Sequence, residues 1–129
     1  MATITNDRAH PVSPPGYEVN DTCHLTEDVA AGDLLQYEGT MSGGQPKMKK
    51  CPAGATPHGI ALKDGYQGQR GFDVGIQGEM DGFAGLTPGA DLYASGSTAG
   101  AIDDAAGGGS NPDIPARAVR ETRIRYSFV

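Results

Sequence analysis

Glycine recurs so often between residues 59 and 95, GIALKDGYQGQRGFDVGIQGEMDGFAGLTPGADLYAS, that this stretch has no room for a globular helix and must be built from short strands and turns. At its centre Arg70, Phe72, Val74 and Ile76 alternate with Gly71, Asp73, Gly75 and Gln77. Successive side chains of a strand point to opposite faces, so this is a strand with one apolar face and one small or polar face. Leu86-Thr87-Pro88-Gly89-Ala90 reads as a tight turn before a second short apolar run at Leu92-Tyr93. Nothing in the stretch looks catalytic.

The same short-strand character extends along the chain. Val19, Asp21, Cys23 and Leu25 alternate weakly, and residues 29–37 give a turn followed by a strand. A hairpin-like unit follows, with its loop at residues 40–46 and its return strand at 47–51. Lysines on an edge strand resist edge-to-edge aggregation, which accounts for Lys47, Lys49 and Lys50 without invoking a ligand. Residues 98–102 give one more short strand. The closing segment then places Thr122, Ile124, Tyr126 and Phe128 on one face, and Arg123, Arg125, Ser127 and Val129 on the other. Nowhere do apolar residues repeat at helical spacing for about eight residues or more. The expectation is a mainly β chain with little or no helix, a small β-barrel or β-tulip-like domain of short strands.

Leu, Ile, Val and Phe supply only 21 of the 129 residues, and Gly and Pro supply 29. Such a core is thin, and its stability is expected to draw on a partner or on self-association. One β-domain spans residues 18–129, with a flexible loop at about 103–113 on the strength of Asp103-Asp104, Gly107-Gly108-Gly109 and their small neighbours. Residues 1–17 read as an extended N-terminal arm, because Pro11, Pro14 and Pro15 favour stiff, extended backbone. A frayed terminus is the plainer alternative.

The charge of -6 disfavours nucleic acid as a partner, since neutralising phosphates takes clustered Lys and Arg. No apolar run approaches a membrane span, and the N-terminus lacks the pattern of a secretory signal. Cys23 and Cys51 form no C-x-x-C, and reduced thiols are expected for a chain made in the cytoplasm, with a Cys23–Cys51 bridge the alternative. Joined by His24 and His58 they would make four zinc ligands. Adjacent strand residues face opposite ways, however, and the spacing fits no compact zinc motif, so no metal is expected. Asp91, Asp103, Asp104 and Asp113 lack the spacing of a calcium loop, and the glycine strings precede no helix that would cradle phosphate. No cofactor and no catalytic residues are expected. Arg120, Arg123 and Arg125 are the candidate partner-facing cations, since a guanidinium forks onto carboxylates; an exposed, solubilising sheet face is the plainer reading.

The order G-I-A-L-K-D at 59–64, G-x-x-x-G at 78–82, G-L-T-P-G-A-D-L-Y-A-S at 85–95, A-G-A-I at 99–102 and P-A-R-A-V-R-E-T-R-I-R-Y-S-F at 115–128 resembles the tailed-phage capsid decoration, or cement, proteins. The resemblance covers roughly residues 29–129. It implies a non-enzymatic virion protein, made in the host cytoplasm, that binds the outer surface of the head and stabilises the lattice by bridging neighbouring subunits. Its implied partners are the major capsid protein and itself, as a homotrimer or alternatively a dimer. On this reading the arm residues Arg8, His10, Pro11, Val12, Pro14, Pro15 and Tyr17 contact the capsid or an adjacent subunit. A carbohydrate-binding β-module displayed on a particle surface is the alternative, with Tyr37, Tyr66 and Tyr93 as its candidate aromatics.

Overall fold

The computed structural model describes residues 4–128. Ten strands follow one another: β1 (His10–Pro11), β2 (Val19–Leu25), β3 (Leu34–Ser42), β4 (Gln45–Lys50), β5 (Gly59–Ala61), β6 (Phe72–Asp81), β7 (Asp91–Ala94), β8 (Ile102–Asp103), β9 (Asp113–Ala118) and β10 (Ile124–Ser127). The only helical element among the described residues is a 3-10 turn at Gly107–Gly109. The mainly β expectation is met, and the alternating runs fall on β2, β6 and β10, but the strand expected at residues 98–102 is a turn, with strand beginning only at Ile102. The proposed extension of the last strand to residue 129 lies outside the described residues.

The sheet is ring-like at one end. Strands β2, β4, β3, β5 and β6 pair in that order, and β6 pairs again with β2. β4 is therefore not an edge: β3 lies antiparallel on one side, and β2 lies parallel on the other through His24↔Lys47 and Leu25↔Met48. Edge protection does not explain its lysines. Beyond the ring the sheet continues from β6 through β10, β9 and β7 to β8.

β6 joins the two parts. Its first half lies between β2 and β5, and its second half between β10 and the N-terminal segment. Opposite β2, Val19 pairs with Gln77 but Asn20 pairs with Gly75, so Ile76 is an extra residue that reverses which face the strand presents. Phe72 and Val74 accordingly point into the ring, among Cys23, Leu25, Leu35, Met48 and Ala61. Past the bulge, Met80 joins a second core with Leu34, Ile60, Phe83, Leu92, Ile124 and Tyr126. Leu34 and Leu35, like Ile60 and Ala61, are neighbours that face different cores. β3 and β5 thus form the wall between them.

The glycines of β6 are the means by which Tyr126 reaches this strand. A Cβ on Gly75 would collide with the Tyr126 hydroxyl and lie 2.8 Å from Leu62 Cδ2. One on Gly78 would lie 2.9 Å from the same hydroxyl and 2.5 Å from Ser13 Oγ. The small face of β6 is small because a ring packs on it.

Residues 103–113 are stitched internally. Asn111 is buried, donates from Nδ2 to the Ala105 carbonyl at 2.8 Å, and accepts the Gly96 N–H at 2.7 Å. Asp103 is also buried and accepts the Ala105 N–H at 3.1 Å.

Cys23 and Cys51 are free, and they are buried in different cores. Burial pushes the thiols up to about 12 and about 11 respectively. At about pH 8 both are protonated and shielded, so a thiol reagent such as DTNB is expected to modify neither in the native protein and both after denaturation. Rapid stoichiometric reaction of native protein would contradict this placement.

Candidate functional site

The residues singled out for partner contact come from two distant parts of the sequence, and most of them lie along the two edges of the second half of β6. The N-terminal segment is extended and runs back along its own domain. Thr5 and Ala84 exchange backbone hydrogen bonds of 3.1 and 3.0 Å, His10 and Pro11 pair with Asp81 and Met80, and the Val12 N–H donates to the Glu79 carbonyl at 2.9 Å. Ser13 Oγ accepts the Glu79 N–H at 2.6 Å. Ala9 points into the core, while Arg8, His10, Pro11, Pro14 and Pro15 face outward and Val12 is half-buried. A turn closed by the Tyr17 N–H on the Pro14 carbonyl, 3.1 Å, then delivers the chain into β2.

Gly82 makes this docking possible. Its φ is +92°, and a Cβ there would run into the Arg8 carbonyl. Only glycine combines that left-handed backbone with so close a crossing.

On the other edge of the second half of β6, β10 presents its arginines. Arg123 forks onto Asp81, with Nε and Nη2 donating to one carboxylate oxygen at 3.2 and 2.9 Å. Arg125 pairs with Glu79 at 3.2 Å, and its guanidinium lies 5.8 Å from the centre of the Tyr17 ring, within cation–π range. Arg120 stands apart in the β9–β10 turn, where its backbone N–H donates to the Arg123 carbonyl at 3.3 Å. Arg123 is spent on an internal carboxylate. Arg125 is spent in part, and its side chain remains 57 % exposed.

The carboxylates Glu79 and Asp81 were missed in the sequence, although a signal for them exists. Glu79-x-Asp81 and Arg123-x-Arg125 are complementary doublets with strand spacing, and antiparallel pairing of β6 with β10 sets them side by side. Beside β10 lies a groove of about 420 Å³ that Tyr17, Arg117 and Arg125 line together with Pro115 and Val119. Tyr17 from the N-terminal segment and Arg125 from the last strand meet there.

The other candidate chemistry disperses. His58 Nδ1 accepts the Tyr37 N–H at 3.1 Å and its ring stacks on Tyr37 at 5.1 Å. Cys23 and Cys51 lie in separate cores. Among the described residues no three His, Cys, Asp or Glu side chains are grouped to hold a metal ion. Of the three tyrosines considered for sugar stacking, Tyr66 is exposed, whereas Tyr37 and Tyr93 are half-buried.

No family model and no curated protein matches the sequence. Among solved structures, the chain is similar to the crystal structure of the head fiber gp8.5 N base of bacteriophage phi29. The TM-score is 0.57 at 18 % identity, over 86 % of this chain and 95 % of that one. At that identity the likeness is one of fold.

The Asp81 node has a pH signature. The Thr122 hydroxyl first, then the Gly82 N–H and Arg123, hold the Asp81 carboxyl down at about 2. An unfolded aspartate titrates near ~3.9, so the native state binds its proton later and gains stability that is complete above that pH. The gain is lost as pH falls from about 4 towards 2. Asp81→Asn is therefore expected to unfold at lower urea than the parent near neutrality, with the gap narrowing across that window. A gap unchanged across that window would contradict the assignment.

Proposed function

We propose that the chain is a structural component of a phage head, a small β module bound to the outer surface of the capsid. In this reading it contacts the major capsid protein and stabilises the lattice by bridging neighbouring subunits, as a homotrimer with a dimer as the alternative assembly. The observation that supports it best is the likeness to the base of the phi29 head fiber, which extends over nearly all of that chain. The sequence resemblance to decoration proteins points the same way from separate grounds. Two reduced, buried thiols suit a protein made in the host cytoplasm.

The work of such a protein is thermodynamic. A subunit that binds the mature lattice and not its disassembled parts stabilises the lattice by its own binding free energy, about 2.7 kcal/mol per site at roughly 100 times its Kd. Repetition over many sites, with each copy bridging subunits, multiplies the effect against the pressure of packaged DNA.

The contact surface proposed is the outward face of the docked N-terminal segment, with Arg8, His10, Pro11, Val12, Pro14, Pro15 and Tyr17. Removing the whole segment would be a poor test, since it would strip one edge of β6 and uncover Met80 and Phe83. Surface charge reversal avoids that problem. Arg8→Glu combined with His10→Gln, which sets no second carboxylate opposite Asp81, is expected to keep the parent melting temperature to within about 2–4 °C, as exposed substitutions do. It should lower occupancy on purified heads at least about tenfold at limiting protein. Full occupancy by the double variant would remove the segment from the contact.

A further inference from the structure

Four strands place four charged residues in one row across the sheet. Asp91 of β7 pairs with Arg117 of β9, Arg117 pairs with Arg125 of β10, and Arg125 pairs with Glu79 of β6. The order is acid, base, base, acid. Residues directly opposite on paired strands share a face, and like charges so placed destabilise the pairing. The two outer carboxylates do not resolve this. Asp91 Oδ1 is 3.6 Å from Arg117 Nε, an ion pair between two exposed groups, and Glu79 takes one Arg125 nitrogen. Arg117 makes no side-chain hydrogen bond with another described residue, and most of the Arg125 donors are unspent.

The row runs through the groove beside β10. The apolar side chains on the same face as Arg117 are the exposed Pro115 and half-buried Val119, and Tyr17 closes the side next to Arg125. We infer that this groove receives an acidic side chain from a loop of a partner protein, whose carboxylate sits between Arg117 and Arg125 and completes the charge row. Guanidinium groups match a carboxylate through parallel N–H donors, and the apolar surface suits the aliphatic stem that carries it. A nucleic-acid backbone fits less well, because the chain as a whole carries a charge of -6. That the partner is the major capsid protein rests on the function proposed above, while the chemistry of the groove does not.

Arg117 is the residue to vary, because removing Arg125 would also strand the buried Glu79. Arg117→Glu places the chain's own carboxylate beside Arg125, where the partner's would otherwise lie, and Arg117→Gln removes the charge alone. Two measurements separate the groove from the function. In the first, isotope-labelled full chain is titrated with a blocked Ala-Glu-Leu peptide and with its Ala-Gln-Leu counterpart. The expected shifts fall on the amides of residues 116–118 and 124–127 with the glutamate peptide only. They should disappear in Arg117→Glu and weaken as added salt shortens the Debye length below about 10 Å. Equal shifts with the glutamine peptide, shifts elsewhere or shifts unaltered in Arg117→Glu would overturn the site. Inorganic phosphate producing the same map at equal strength would overturn the protein-partner assignment.

In the second, the full chain is added to purified heads lacking it. Arg117→Glu is expected to bind at least about tenfold more weakly than the parent, with Arg117→Gln between them and Lys63→Glu unchanged. Equal binding by all four overturns the proposal and leaves the head-bound reading intact. Failure of the parent itself to bind overturns the head-bound reading, and the peptide titration still decides the groove. A parent dimer in sedimentation that Arg117→Glu abolishes would assign the groove to a second copy instead.

Discussion

Tyr126 packs against a strand that has no side chains in its way at Gly75 and Gly78, and the rest of the domain takes its position from that contact. Because the ring lies on this face, β10 can pair with the second half of β6, and β9, β7 and β8 follow outward. The bulge at Ile76 lets the same strand fill the ring with Phe72 and Val74 and then line the outer core with Met80. A side chain at Gly75 would force Tyr126 out and separate the two halves.

A chain with few large aliphatic residues is thereby divided into two small cores that share a wall. Each is filled chiefly by residues from strand pairs, and closing the ring removes most of the edges that short, glycine-rich strands would expose. The N-terminal segment covers one of the edges that remain, from Thr5 opposite Ala84 to Val12 bonded to Glu79. Its prolines give stiffness, Gly82 admits its backbone, and Ala9 anchors it. The segment is part of the fold as well as a surface.

The elements legible in the sequence were those with period-two alternation. Phe72 and Val74 in β6, and Ile124 and Tyr126 in β10, lie buried as their spacing required. Alternation reports which face a residue takes but not what lies against the other face, so the burial of Gly75 and the reversal at Ile76 were hidden. Pairing partners were hidden too. The parallel contact of β2 with β4 turns an expected edge of lysines into an interior strand. Pairing of β6 with β10 spends Arg123 on Asp81, and pairing of β10 with β9 sets Arg125 opposite Arg117, a residue the basic doublet did not suggest. Residues 4–17 turn at 7–8 and 15–17 as well as pairing along β6, and their prolines did not make that docking readable, because it depends on Gly82 and Ala84, far along the chain.

The described residues offer charge rows, a groove and an outward-facing N-terminal segment held on the sheet, and these suit the proposed role of binding at many equivalent places. The direct test is quantitative mass spectrometry of purified virions, with the chain measured against the major capsid protein. Membership of the head predicts a constant ratio, the same across preparations and retained through density-gradient purification. A chain that is absent from virions, or whose ratio drifts with washing, would contradict it.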